Sequence, residues 1–106
     1  MTRCDFFLES GEYIGFKISG HVGLGVKGKD LVCASVSALS QSTLIGLNEV
    51  LKMDIDYKIE DGMIECHLKE SNECAQKIVS TLHRTLDQLS KQYPKNVSVF
   101  GTEVKR

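Results

Sequence analysis

The sequence predicts an α+β domain: two layers, with a mostly antiparallel sheet covered on one face by two helices, in the order ββαββαβ. Three observations carry this expectation. Two stretches, near residues 2–19 and 53–70, alternate apolar and polar side chains around central turn signals, as strands of hairpins wetted on one face do. Two longer segments with helical spacing follow them, and the apolar faces of the strands need those helices as a second layer. The length of 106 residues suits one domain, residues 1–106, which buries roughly two-thirds of the surface its unfolded chain exposes.

Each element has its own signal. The first hairpin is "TRCDFFLE" (2–9) and "YIGFKIS" (13–19), joined by a tight Ser10-Gly11 turn, with Ile14, Phe16 and Ile18 on one face of the second strand. From Asp30 to about Leu51 the pattern becomes helical, and Ala34, Ser35, Ser37 and Ala38 near its start allow a close approach to a neighbour. In "MDIDYKIEDGMIECHLKE" Met53, Ile55, Tyr57 and Ile59 alternate with Asp54, Asp56, Lys58 and Glu60, and Asp61-Gly62 signals a two-residue type I′ turn. Residues 72–93 carry Ala75, Ile78, Val79, Leu82, Leu86, Leu89 and Tyr93 at spacings of three and four, the stripe of an amphipathic helix ended by Pro94. A last strand is expected near "NVSVFGTEV".

Charge and cysteine usage narrow the function classes. Thirteen basic and 14 acidic residues give a net charge of −1, without the basic excess of a dedicated nucleic-acid binder, so no direct nucleic-acid contact is expected. No apolar run is read as long enough to span a bilayer, and "MTRCDFFLES" places acidic residues where a signal peptide would stay apolar, so a cytoplasmic protein without membrane contact is expected. In that compartment Cys4, Cys33, Cys66 and Cys74 are expected to be thiols. No pair has C-x-x-C spacing and the three histidines are scattered, so neither metal nor cofactor is expected.

One motif suggests otherwise. "GLGVKG", residues 23–28, fits the dinucleotide fingerprint G-x-G-x-x-G. That fingerprint requires a parallel βαβ unit, whereas the preceding strand is here the second arm of a hairpin, and the helix starts only after the last glycine. Gly20, Gly23, Gly25 and Gly28 read better as a mobile loop able to cover a site.

The loop is bracketed by chemistry. His21 stands at its start and Cys33 just beyond its end. Asp30 occupies the N-cap position, where its carboxylate can accept from the first-turn amides, which places Cys33 at N3. The positive end of the helix dipole favours the thiolate there, and a nearby imidazolium favours it further. Such a pair is the minimum for nucleophilic acyl transfer, with free helix amides as an oxyanion site, although the Asp30 cap competes for the Cys33 amide. Spacing alone leaves a second reading open, a buried thiol beside an ordinary loop histidine. Ser37, one turn past Cys33, either supports the site or bonds back to a carbonyl. Cys66 and His67 alternate on a strand and point to opposite faces, Cys4 and Cys74 read as partly buried thiols, and His83 flanks the second helix's stripe; none is assigned a role.

The segment "GHVGLGVKGKDLVCASVSAL" resembles the signature of the ribosomal-processing cysteine protease family Prp, with Gly20, His21, Gly28, Asp30, Val32, Cys33, Ala34 and Ser37 on matching positions. Val22 stands where a smaller Ala is common and Leu31 where Ile is common. The resemblance implies a homodimeric cytoplasmic cysteine endopeptidase that removes a short N-terminal extension from a large-subunit ribosomal protein precursor. Cys33 would be the nucleophile and His21 its partner. The rival from another class is a non-enzymatic ribosome-assembly module that only binds the extension.

Overall fold

A computed structural model describes residues 1–20 and 31–104. Strands β1 (Thr2–Glu9) and β2 (Glu12–Ser19) precede helix α1 (Leu31–Ile45), strands β3 (Ile55–Glu60) and β4 (Met63–Leu68), helix α2 (Glu73–Gln92) and strand β5 (Val97–Glu103). The order is the ββαββαβ expected. The five strands form one sheet in the order β3-β4-β2-β1-β5. All neighbours are antiparallel except β1 and β5, which pair in parallel because α2 carries the chain across the sheet.

The core lies between the sheet and the helices. Cys4, Phe6, Phe16, Ile18, Ile64 and Cys66 of the strands meet Val36 and Leu44 of α1 and Val79, Leu82 and Leu86 of α2. Asn72 caps α2, accepting from the Ala75 amide at 2.8 Å, and leaves the first apolar stripe residue in place to bury. The stripe ends earlier than its spacing suggests, since Tyr93 is exposed beyond the last turn.

Four details depart from expectation. The predicted helix end near Leu51 is a π-helical turn, Gly46–Val50, closed by Leu51 N–H to Gly46 O at 2.9 Å, after which Lys52 takes a positive φ of 54°. At the first hairpin, Ser10 and Gly11 have φ of 51° and 81°, which is the type I′ requirement, whereas at Asp61-Gly62 only Gly62 is positive. The type I′ turn therefore sits in the other hairpin. Ile14 is an extra residue between the pairs Phe7 with Gly15 and Leu8 with Tyr13, and this bulge turns Tyr13 rather than Ile14 onto the core. Tyr57 and Ile59 follow the alternation but each stays 54% exposed, because β3 is the outermost strand and the helices do not cover its far half.

The helical run 31–50 has the length and apolarity to cross a membrane, contrary to the reading that no run is long enough. Glu49 is its one charged residue. Val36, Leu44 and Leu47 of this run are nevertheless buried against the sheet, the position of a core helix in a two-layer domain.

Candidate active site

One end of the sheet gathers several chain segments. The beginnings of β1 and β5, the end of β2 and the start of β4 lie side by side there, through the pairs Thr2 with Val97, Arg3 with Ser19 and Ser19 with Met63. Gly20 ends this edge. Its N–H donates to Gly62 O at 3.0 Å, which ties the end of β2 to the β3–β4 turn. Its φ of 115° and its contact with the first residues of β1 leave no room for a side chain, since a Cβ would run into the Met1 carbonyl oxygen and lie 3.2 Å from Thr2 Cα. Gly20, expected among the loop glycines, stands at the described end of that stretch, where the backbone of Met1 and Thr2 comes too close for a side chain.

Cys33 belongs to this same end. It lies in the first turn of α1, 7% exposed, and its Sγ is 3.3 Å from Thr2 Oγ1. The hydrogen-bonded pair joins α1 to the first strand. Because Gly20 approaches the Thr2 backbone, the residue preceding His21 in the chain and the thiol are neighbours of one threonine. His21, Gly23, Gly25, Gly28 and Asp30 lie outside the described residues. Leu31 begins α1, so Cys33 holds the N3 position expected of it, within the reach of the helix dipole.

Ser37 is half-buried one turn further on and accepts from Gln41 Nε2 at 2.9 Å; the bonds back to carbonyls are made by Ser35, Ser40 and Thr43 instead. Gln41 in turn lines a shallow cleft of about 160 Å³ that runs between α1 and β3, past Leu44, Ile45, Tyr57 and Ile59. The apolar side chains that the helices fail to cover thus face a groove that starts two turns from Cys33.

The other thiols lie elsewhere in the fold. Burial, aided by the charges of Asp5 and Asp87, pushes the Cys4 thiol up to about 12, and burial with Asp56 does the same to Cys66. Both stay protonated at neutral pH and neither is nucleophilic. Cys74, read as partly buried, is exposed at the start of α2. His67 points to the open face near Glu65, opposite Cys66 as the alternation requires. His83 stacks on Phe6 at 4.2 Å and bonds to Tyr13 Oη at 2.8 Å through Nδ1, the environment of a satisfied core histidine. No cluster of three or more His, Cys, Asp or Glu that could hold a metal occurs among the described residues.

Thr2 is the residue that sequence reading missed. A signal for it existed: alternation in "TRCDFF" puts Thr2 on the same face as Cys4 and Phe6, so a hydroxyl occupies an inward position where an apolar side chain is the rule.

A thiol in the first turn of a helix, bonded to a buried hydroxyl, is an arrangement that a cysteine peptidase can use, and the comparison with known families gives that class. The family model "Cysteine protease Prp" matches residues 1–98, and the chain belongs to that family. Solved structures agree in fold. A protein of Streptococcus mutans superposes with a TM-score of 0.86 at 22% identity, over 98% of this chain and 99% of its own. The essential ribosomal processing protease Prp of S. aureus does so in complex with a covalently linked product peptide (TM-score 0.86, 23% identity) and with a substrate peptide (0.85, 22%). Each of these covers 96% of this chain and 100% of the other. No curated protein matches by sequence.

Proposed function

We propose that this peptidase removes a short N-terminal extension from a large-subunit ribosomal protein precursor, with Cys33 as nucleophile and His21 as its acid–base partner. The observation that supports the reading is that Gly20, the residue before His21 in the chain, closely approaches Thr2, whose hydroxyl is 3.3 Å from Cys33 Sγ. The family supplies the reaction class. The S. aureus protease, named for ribosomal processing and complexed with peptides, supplies the substrate class.

In this mechanism the Cys33 thiolate attacks the scissile carbonyl carbon, forming the C–S bond while the carbonyl oxygen takes the negative charge; amides of the first turn of α1 that the Asp30 cap does not engage would receive it. Collapse breaks the C–N bond, and the His21 imidazolium gives its proton to the leaving amine. Water then attacks the thioester with His21 taking its proton, and C–S cleavage returns the thiolate and frees the new carboxylate. Asp30 would cap the helix and fix the thiol's position, and Ser37 and Gln41 would form the wall toward the cleft. Neither metal nor cofactor is required by these steps. The enzyme would act in the cytoplasm as a homodimer, for which the exposed Leu31 and Ile45 of α1 and Val50 of the π-helical turn after it offer apolar surface.

Mass spectrometry of the ribosomal precursor tests this reading. Wild-type protein shortens the precursor at one bond; Cys33→Ala leaves it intact, and His21→Ala nearly so. Cleavage by Cys33→Ala at the wild-type rate would overturn the assignment. Alkylation with iodoacetamide separates the enzyme from a module that only binds the extension, since binding survives a small adduct and turnover does not.

A further inference from the structure

We propose that Thr2 is a positioning residue for the reacting thiol, its hydroxyl holding Cys33 Sγ in place and donating to it in the ionised state. The proposal rests on Cys33 being the nucleophile and adds to it the group that sets the thiolate's orientation.

The geometry is specific. Thr2 Oγ1 and Cys33 Sγ are 3.3 Å apart, Thr2 is fully buried, and Cys33 is nearly so. In the neutral pair either atom could donate, but a thiolate has no proton to give, so in that state the hydroxyl is the donor. A hydrogen bond to a charged group is stronger than one to a neutral group, so the contact favours the ionised sulfur over the thiol.

The donor itself is held from several sides. The Thr2 amide donates to Asn96 O at 2.8 Å, its residue pairs with Val97 across the parallel ladder, and Gly20 closes over its Cα. A β-branched side chain on such a fixed backbone has few rotamers, so its hydroxyl is aimed before substrate arrives. Valine has the same shape and would bury better at an inward β1 position beside Cys4 and Phe6. The hydroxyl is therefore the part of Thr2 that packing alone does not explain.

Thr2→Val removes the donor and keeps the shape, and Thr2→Ser keeps the donor and loses a methyl. Steady-state cleavage of the precursor peptide, with iodoacetamide alkylation of Cys33 followed by mass spectrometry, reads both. For Thr2→Val the expected result is a fall in kcat of roughly tenfold, the size of one charge-assisted hydrogen bond, with KM changed less than twofold and Cys33 alkylation slowed alike. Thr2→Ser is expected to restore most of both rates. Thr2→Ala, which adds no atoms, serves if the valine variant does not fold and is expected to be as slow. Donor-free variants that keep wild-type kcat and alkylation rates overturn the proposal, as does Thr2→Ser being as slow as Thr2→Val. Cys33→Ala run alongside separates the two levels: an active Cys33→Ala overturns the nucleophile, while an inactive one beside a fully active Thr2→Val overturns Thr2 alone.

Discussion

Gly20→Ala distinguishes a packed pivot from a flexible link, and the two cases predict opposite signs. If Gly20 served only to loosen the chain before His21, alanine would restrict the unfolded state and stabilise the fold by roughly 0.4–1 kcal/mol. The structure predicts the reverse. At φ 115° an L side chain is strained, which costs on the order of 1–3 kcal/mol. The added Cβ also meets the Met1 carbonyl oxygen, and Met1 cannot retreat freely because Thr2 is bonded to Asn96 O and laddered to β5. Forcing such a contact typically costs a further 1–3 kcal/mol. A net loss of about 2–5 kcal/mol follows, which for a domain of this size is a fall in Tm of roughly 10 °C or more. Gly11→Ala is the internal control. Gly11 also has positive φ, 81°, but nothing lies within 4 Å of its would-be Cβ, so it carries strain of about 1 kcal/mol without the clash. Urea denaturation of both variants reads the difference. A Gly20→Ala protein as stable as wild type, or more stable than Gly11→Ala, would refute the close-packing argument. Because the shift falls on Thr2, Cys33 alkylation should slow in Gly20→Ala and stay unchanged in Gly11→Ala.

Two further outcomes follow from other parts of the fold. Ser10→Asn should raise stability by a few tenths to about 1 kcal/mol in urea melts, since Ser10 holds φ 51° at the first central position of a type I′ turn, where Asn is favoured. Stability should also fall in alkali. Cys4 and Cys66 ionise near 9.0 in the unfolded chain but are held up to about 12 in the fold. Their contribution is complete below pH 9 and is lost as pH climbs from 9 toward 12, at about 1.4 kcal/mol per pH unit for each thiol. Urea melts at several pH values above 9 should show a shallower decline in Cys4→Ala and Cys66→Ala than in wild type, and equal slopes would contradict the burial of these thiols.

Most of the architecture was legible because strand and helix periodicities are local properties of a chain. Alternation marked both hairpins, three-and-four spacing marked α2, and Pro94 marked its end. The turn types were not legible, because the Asp-Gly preference for type I′ is only a local bias and each turn takes the twist its own two strands impose. The Ile14 bulge escaped for a similar reason: one inserted residue leaves the composition of β2 unchanged and is visible only against the register of β1. Tyr57 and Ile59 were placed on the correct face, but how far the helices extend over that face depends on where α1 lies along the sheet.

For the site, sequence by itself determined the chemistry available: a cysteine at the third position of a helix, a histidine twelve residues before it, and a signature shared with the Prp family. These are facts of order along one stretch of chain. Only the tertiary structure decided that Thr2, 31 positions away, bonds to Cys33, and that Gly20 is a point of close packing. The first depends on the α1 terminus reaching the end of the sheet where β1 begins, a contact between segments distant in sequence, and the second on the exact register of β1 against β2, which alternation alone does not encode.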